Sequence, residues 1–358
     1  MMQRQRQSHG FSLLELMVSM VLGFIVMGSM VQLFSMGMKS TKLVSQRAEM
    51  QENMRAAIEL MTKDISLAGA GMPAGGIQLP NGVGSQLSLF GCDQNGVCHV
   101  PTTDTYPVGN HMYPLIPGYL TGVENNVVIA SAPGAPCSSI TVIYVDPNFN
   151  LNQWNMTFPN PNGTSVNLVA NPAFPAPPVM TAPGGLQVGD LIWLQNNLGY
   201  AVGEVTGFTN ASITFADGDP LRMNQSAVSV THNISSIATA GAVGSRIFVV
   251  TYYLSVPGTP GTLPRLMRQV NGLAPVPVAD NIINIQFAYD SYNTVVNPPV
   301  LDANQPNPIG VGDTLSLIQK INISVMGQAL GAAGDNQQNM ALTTSVSARN
   351  MSFADRYK

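Results

Sequence analysis

The chain has 358 residues, of which only 9% are charged and 45% are hydrophobic. Nineteen acidic residues against 15 basic ones give a formal net charge of −4. This balance argues against general nucleic-acid binding, because that activity needs a basic surface.

The first predicted element is a long apolar run near the N-terminus. Phe11 to Val31 is almost wholly apolar and, at about 20 residues, is long enough to cross a bilayer as a helix. By the positive-inside rule, Arg4 and Arg6 place the N-terminus in the cytoplasm and the chain after the run outside the inner membrane. Glu15 lies inside the run, where a carboxylate costs roughly 2.5–3.5 kcal/mol even on the lenient insertion scale.

Two ordinary interpretations leave Glu15 unexplained. A cleaved secretory signal has small residues after its apolar core, but here Gly10 precedes the core and no A-x-A-like site follows Lys39. A plain signal anchor accounts for the apolar run but not for the carboxylate. A third interpretation uses every residue of the segment 10–16, Gly-Phe-Ser-Leu-Leu-Glu-Leu.

This segment resembles the class III signal of type IV prepilins and type II secretion pseudopilins. In that family a membrane-embedded prepilin peptidase cuts after the glycine and methylates the new N-terminal residue. The resemblance therefore implies cleavage between Gly10 and Phe11, N-methylation of Phe11, and a contact of Glu15 with the new N-terminal amine of a neighbouring subunit. Removal of the leader takes away two of the 15 basic residues and leaves 13 against 19 acidic ones, a net charge of −6.

The resemblance also implies an α+β, type IV pilin-like architecture, in which a long N-terminal helix is followed by a β-rich globular head. We expect a leader peptide at residues 1–10 and a transmembrane and pilus-core helix at 11–31. An amphipathic helix at 32–69 is expected to pack on the head, and residues 70–358 are expected to form a periplasmic β-rich head domain.

The amphipathic continuation is visible in the spacing of apolar residues. They recur at intervals of three and four positions, at Met50, Met54, Ile58, Met61 and Ile65. Gly69 and Gly71, followed by Pro73, are expected to end the helix. Many major pilins carry a proline about two-thirds of the way along the apolar helix, and this chain has Gln32 nearby instead. That departure favours a minor subunit or a pseudopilin.

The remaining chain reads as short strands separated by proline or glycine clusters. Strands are predicted at 127–129, 140–145, 191–195, 200–208, 212–215, 246–254, 263–270, 282–289, 315–326 and 340–353. The strand at 246–254 is expected to be buried on one face. Residues 146–185, rich in asparagine and proline, are expected to form one long loop. Asp217-Gly-Asp-Pro220 is expected to be a β-turn rather than a calcium site.

Three cysteines, Cys92, Cys98 and Cys137, lie in the predicted head. In an oxidising compartment a Cys92–Cys98 disulfide would close a small loop and leave Cys137 odd, but three cysteines allow three single pairings. A zinc site is the alternative, and no second C-x-x-C or nearby histidine pair supports it. The motifs H-E-x-x-H, G-x-S-x-G and Walker A are absent, so we expect no metal, no cofactor and no enzymatic activity.

The order of motifs between Tyr252 and Asn350 is similar to that of PilW-type minor pilins, which are related to the J-type minor pseudopilin of type II secretion. The resemblance implies a minor pilin that primes assembly of a type IV pilus and lies at or near its tip. Such a subunit waits in the inner membrane with its head in the periplasm and reaches the cell surface in the pilus. Two alternatives stay open: a J-type pseudopilin, and a membrane-anchored periplasmic enzyme or binding protein.

The same resemblance implies the partners. They are the prepilin peptidase, other minor pilins and the major pilin, the inner-membrane assembly platform, and a tip adhesin as a further candidate. The lipid bilayer surrounds the apolar helix before assembly.

Overall fold

The computed structural model describes residues 12–73, 76–86, 88–91, 110–118, 130–131, 135–136, 138–173, 180–181, 184–227, 229–255, 264–293, 295–306, 315–329 and 338–351. In this part of the chain one long N-terminal helix is followed by a β-rich region. The predicted fold class is therefore confirmed. The leader with Gly10 and Phe11, the predicted strand at 127–129 and all three cysteines lie outside the described residues.

Helix α1 runs without interruption from Leu13 to Ser66, a length of 54 residues. At about 1.5 Å per residue it is roughly 80 Å long. The helix ends where Gly69 and Gly71 adopt φ angles of +77° and +74°, a left-handed conformation that glycine adopts at little cost. A Cβ at Gly71 would also lie 2.9 Å from the side chain of Val145, so both the positive φ angle and the lack of space favour glycine at this position.

The described strands are short in the first half of the head and long in the second half. In chain order they are β1 (Ile77–Gln78), β2 (Asn81–Gly82), β3 (His111–Met112), β4 (Leu115–Gly118), β5 (Ala130–Ser131), β6 (Ala135–Pro136), β7 (Ser139–Val145), β8 (Asn155–Thr157), β9 (Ser165–Leu168), β10 (Leu191–Asn196), β11 (Gly199–Glu204), β12 (Gly207–Phe208), β13 (Ser212–Thr214), β14 (Val230–Thr231), β15 (Ala242–Ser255), β16 (Arg265–Val270), β17 (Val276–Asp280), β18 (Ile282–Asn293), β19 (Val300–Gln305), β20 (Ile318–Ala329) and β21 (Gln338–Ser347). Short 3₁₀ turns occupy Leu151–Gln153, Ile234–Ser236 and Leu315–Leu317.

Eleven of the described strands form one sheet around β15, and every pairing in it is antiparallel. One edge of β15 pairs with β10 and then with β16, and the other edge pairs with β8 and then with β7. This central position explains a difference from the sequence prediction. Residues 246–254 are buried almost throughout rather than on one face, because both faces of β15 are covered.

A second sheet of four antiparallel strands has the order β19-β18-β20-β21. Along β20 the buried positions alternate, with Ile321, Ile323 and Val325 on the inner face. Helix α1 packs against β20, β21 and β17. The same hydrophobic core joins the C-terminal part of α1 to both large sheets, and a smaller second core lies around Met156 and Phe215.

The predicted strands at 140–145, 191–195, 212–215, 246–254, 263–270 and 282–289 are confirmed by β7, β10, β13, β15, β16 and β18. The one at 340–353 is confirmed as far as Ser347, where β21 ends and a turn follows. The predicted strand at 200–208 is divided into β11 and β12, and the one at 315–326 begins as a 3₁₀ turn. The prediction of one long loop at 146–185 was wrong. It contains a 3₁₀ turn and strands β8 and β9, which are too short and too polar to show an alternating pattern, and which pair with β15 and β13.

Candidate functional site

The N-terminal half of α1 is an exposed apolar surface. Its large hydrophobic side chains from Leu13 to Met38 are all exposed, with Leu13 at 78% and Phe24 at 70%. The best 18-residue window of α1 has a mean hydropathy of 2.1, and none of it is buried within the subunit. Among the described residues, α1 is thus a helix long and apolar enough to cross a membrane, by length and composition.

Three hydroxyl groups along this part of α1 are satisfied within the helix. The hydroxyls of Ser19, Ser29 and Thr41 donate to the carbonyls of Leu16, Ile25 and Gly37 at 2.8–3.0 Å. In a bilayer no water can satisfy such groups, so these bonds make the helix suited to a hydrocarbon environment.

Glu15 is the acidic residue of the first turn of α1. The carbonyl of Ser12 accepts the backbone N–H groups of Glu15 and Leu16 at 3.0 and 3.1 Å, so the chain is already helical at this point. The positive end of the helix dipole favours a carboxylate there. The side chain is exposed between Leu14 and Leu16, and among the described residues no side-chain hydrogen bond or ion pair holds it.

The C-terminal half of α1 is buried against the head. The buried stripe consists of Met50, Met54, Ala57, Met61, Asp64 and Ile65. Gly327 of β20 faces this stripe, and a Cβ there would lie 3.0 Å from Met50 Cγ and from Met54 Sδ. The absence of a side chain at Gly327 therefore lets the helix approach the sheet closely.

One member of this stripe, Asp64, is charged. Its side chain is 4% exposed, and its carboxylate accepts three hydrogen bonds from the head. The donors are Tyr144 Oη at 3.1 Å, Tyr252 Oη at 2.6 Å and Arg268 Nε at 2.8 Å. They come from β7, β15 and β16, so a single carboxylate ties the helix to three strands of the larger sheet.

The electrostatics of this cluster keep the two tyrosine hydroxyls and the guanidinium of Arg268 protonated, so that all three can donate. Burial, and then the negative charge of Asp64, raises the pKa of Tyr144 and of Tyr252 well above the ordinary value, so both hydroxyls remain protonated. Burial opposes the charge of Arg268, but its hydrogen bond and attraction to Asp64 outweigh that effect and raise its pKa. Sequence reasoning missed Asp64, although its place three residues after Met61 puts it on the apolar face.

A second buried ion pair lies away from the helix. Arg246 of β15 donates through Nε to Asp146 at 2.8 Å, and its guanidinium lies 4.5 Å from the ring centroid of Phe149. Its remaining donors bind the carbonyls of Gly184 and Gly185. This pair fastens the turn at 184–190 to the sheet, which is a structural task. In the described part of the chain no group of three or more His, Cys, Asp or Glu side chains is arranged to hold a metal.

Comparison with known proteins assigns the N-terminal segment. Residues 5–31 match the family model described as the prokaryotic N-terminal methylation motif. No curated protein and no solved structure matches the chain. The matched segment contains Gly10, Phe11 and Glu15, and it includes most of the exposed apolar half of α1, from Leu13 to Val31. Motif and helix together support a type IV pilin-like precursor, a class of protein that is structural and generally non-enzymatic. The apolar helix fits anchoring in a membrane before assembly. The motif implies processing by prepilin peptidase and assembly with other pilins.

Proposed function

We propose that this chain is a minor pilin that primes assembly of a type IV pilus and lies at or near the pilus tip. The observation that carries the proposal is a methylation motif that continues into an apolar helix surface with one carboxylate in its first turn. The uninterrupted course of α1 from Leu13 to Ser66, without a proline, favours a minor subunit over a major one.

The exposed apolar surface needs an apolar environment at every stage of the subunit's life. Each large apolar side chain is stabilised by about 1.5–3 kcal/mol when it is fully removed from water. Before assembly, the bilayer provides that environment for Leu13 to Met38. After the assembly platform extracts the subunit, the helices of the major pilin and of other minor pilins must replace the lipid, which gives the subunit its place in the fibre core.

Glu15 then fixes the axial position of the helix relative to its neighbours, which apolar packing alone does not. A uniformly apolar helix can slide along its neighbours with little change in buried area, whereas a charge in a low-dielectric core must find its partner. We assign that partner to the N-terminal amine of the neighbouring subunit, freed by cleavage after Gly10. Breaking such a buried pair costs about 3–5 kcal/mol, enough to select one register among several.

The test is replacement of Glu15 by leucine in a strain without the chromosomal copy. An apolar helix inserts into the membrane at least as well without the carboxylate, so the inner-membrane amount should stay near wild type. Incorporation into sheared pili, measured by immunoblot beside counts of surface pili, should fall strongly, and mass spectrometry should find cleavage at Gly10–Phe11 retained with less N-methylation.

Glu52→Leu is a matched control, because Glu52 is an exposed acidic residue of the same helix beyond the apolar half. It should enter pili like wild type. Glu15→Leu protein that enters the fibre as well as wild type would contradict the assembly role. Retention of Met1 or Met2 in the mature wild-type protein would contradict the processing.

A J-type pseudopilin of type II secretion is the second candidate, because the motif and the apolar helix are shared by both systems. A deletion strain separates the two. Loss of surface pili with normal release of secreted enzymes supports the pilus assignment, and the reverse outcome supports the secretion assignment.

A further inference from the structure

Two buried carboxyl groups in the head contact each other directly. Glu204 ends strand β11, and Asp219 lies in the loop 217–227; they are 2% and 5% exposed. Backbone N–H groups of one short stretch bind both side chains: that of Leu221 binds Glu204, and those of Met223 and Asn224 bind Asp219. The two carboxyl groups are therefore neighbours, and a hydrogen bond joins them. Because a carboxylate can only accept hydrogen bonds, a bond between two carboxyl groups requires that one of them carries a proton.

The surrounding donors indicate which group carries the proton. Asp219 Oδ2 accepts the backbone N–H of Met223 at 2.7 Å, and its Oδ1 accepts that of Asn224 at 2.8 Å. Glu204 Oε2 accepts one backbone N–H, from Leu221 at 2.9 Å. Glu204 has the smaller number of donors, and burial without a cation disfavours its charged form, so Glu204 is the group that holds the proton. Burial first, and then the bond to Asp219, raises the pKa of Glu204 to about 8.

The pair fixes the loop 217–227 on strand β11. The side chain of Asn224 accepts the N–H of Glu204 at 2.9 Å and donates to the carbonyl of Glu204 at 2.8 Å and to that of Ala216 at 3.0 Å. Together with the contacts of Asp219, these bonds connect both sides of the loop to the last residue of β11. Movement of Asp219 away from Glu204 would therefore displace the whole loop.

The loop in turn carries residues 81–86 and 88–91, which we call the 81–91 segment. The carbonyl of Leu221 accepts the N–H of Leu89 at 2.9 Å, and the carbonyl of Arg222 accepts the hydroxyl of Ser88 at 2.8 Å. Gln225 bonds the backbone of Gln86 twice, as acceptor at 2.7 Å and as donor at 2.8 Å. The segment thus depends on the position of the loop.

Backbone strain is concentrated in the same place. Phe90, Arg222 and His232 all have positive φ angles, of 68°, 56° and 60°. Residues other than glycine adopt this conformation at a cost, so the surrounding contacts must hold them there. Once the loop is no longer held on β11, relief of this strain favours opening.

Two other acidic groups near the pair have partners of their own. Asp217 accepts the N–H and the hydroxyl of Ser226, and Asp190 lies 3.6 Å from the guanidinium of Arg246. The turn at Gly272 covers Glu204 Oε1, where a Cβ would lie 3.0 Å away. The ion pairs found among the described residues include neither Glu204 nor Asp219.

We propose that the Glu204–Asp219 pair is a proton-dependent clasp that holds the loop 217–227, and with it the 81–91 segment, on the head. With the proton present, one hydrogen bond joins the two groups. When the proton leaves to solvent, two buried carboxylates face each other, and their repulsion and need for hydration open the loop. Stability from the clasp is complete below the ordinary pKa of 4.5 and is lost as the pH rises through about 8.

The histidines near the segment do not interfere with an alkaline experiment. His111 belongs to β3, which pairs with β1, and His232 follows β14, which pairs with β2. Burial, and then repulsion from His232, lowers the pKa of His111 below 6.5, so it stays neutral on the alkaline side.

The test is hydrogen–deuterium exchange of the full-length protein in detergent at about pH 6.5 and about pH 9.5, on either side of the predicted transition. Exchange in peptides covering Leu221–Asn224 and Leu89 is divided by exchange in peptides covering Met50–Ile65, which cancels the intrinsic effect of pH. Wild-type protein should lose relative protection at least tenfold at the higher pH.

Glu204→Gln mimics the protonated pair, because its amide donates to Asp219 while its oxygen still accepts the N–H of Leu221. It should keep its protection at both pH values. Asp217→Asn, an exposed acid in the same loop, should behave like wild type. Equal protection of wild-type protein at both pH values, or equal loss in Glu204→Gln, would overturn the proposal.

A spectroscopic measurement on wild-type protein keeps the proposal testable if Glu204→Gln does not fold. Infrared difference spectra should show a protonated carboxyl band at neutral pH that disappears on alkaline titration. A spectrum without such a band at neutral pH would equally overturn the proposal.

Discussion

Each half of α1 carries a carboxylate on an apolar helix surface, and the two carboxylates differ in whether the head provides them with partners. Asp64, in the C-terminal half, receives three donors from β7, β15 and β16 of its own head. Glu15, in the N-terminal half, lies exposed among leucines. One half of the helix is thus completed by the fold, whereas the other half is left exposed and, under the proposed function, is completed by the bilayer and then by a neighbouring subunit. A substitution at Asp64 should therefore change stability, whereas one at Glu15 should change assembly.

The largest effect on stability is expected from Asp64→Leu. The change leaves the guanidinium of Arg268 and two tyrosine hydroxyls without their acceptor in a buried site, which typically costs about 3–5 kcal/mol. Thermal unfolding of the detergent-solubilised protein, followed by circular dichroism of the β-sheet signal, measures the loss. Glu59→Leu, at an exposed position on the same helix, should stay within about 0.5 kcal/mol of wild type. Equal melting temperatures for Asp64→Leu and wild type would show that the head does not need this carboxylate.

A smaller loss is expected from Tyr252→Phe, which removes the 2.6 Å bond to Asp64 but keeps the ring in the core. A hydrogen bond to a charged group contributes about 1.5–3 kcal/mol, so the free energy of unfolding should fall by that amount. In Asp64→Leu protein the same tyrosine change should cost much less, because its acceptor is already gone. Denaturant unfolding of the two single variants and the double variant measures this coupling, and additive losses would argue against a shared network.

The smallest effect on stability is expected from Glu15→Gln. The side chain contacts nothing in the described part of the head, so the free energy of unfolding should agree with that of wild type within about 0.5 kcal/mol. The assembly defect proposed for Glu15→Leu should nevertheless persist, because a glutamine carries no charge for the amine of a neighbour. A destabilised head in the Glu15→Gln protein would contradict the conclusion that the N-terminal half of the helix does not contribute to the stability of the head.

Local pattern was enough to predict the helix and several strands. The three- and four-residue spacing of Met50, Met54 and Met61 indicated one apolar face, and the structure buries these side chains. Short runs rich in β-branched and aromatic residues predicted β7 and β10. Strands β8 and β9 escaped prediction because three or four polar-rich residues show no period, and they become strands only through their pairing with other strands.

The sequence by itself determined the apolar segment, the methylation motif and the place of Glu15, because these features are contained in some twenty neighbouring residues. Asp64 was missed although its spacing from Met61 puts it on the apolar face, and no local pattern could name its partners, since Tyr144, Tyr252 and Arg268 lie 80, 188 and 204 residues further along the chain. The Asp217-Gly-Asp-Pro220 segment likewise indicated a turn and nothing of Glu204. Which distant polar groups meet is set by how the sheets pack, and whether they hold a charge or a proton is set by the burial that packing imposes.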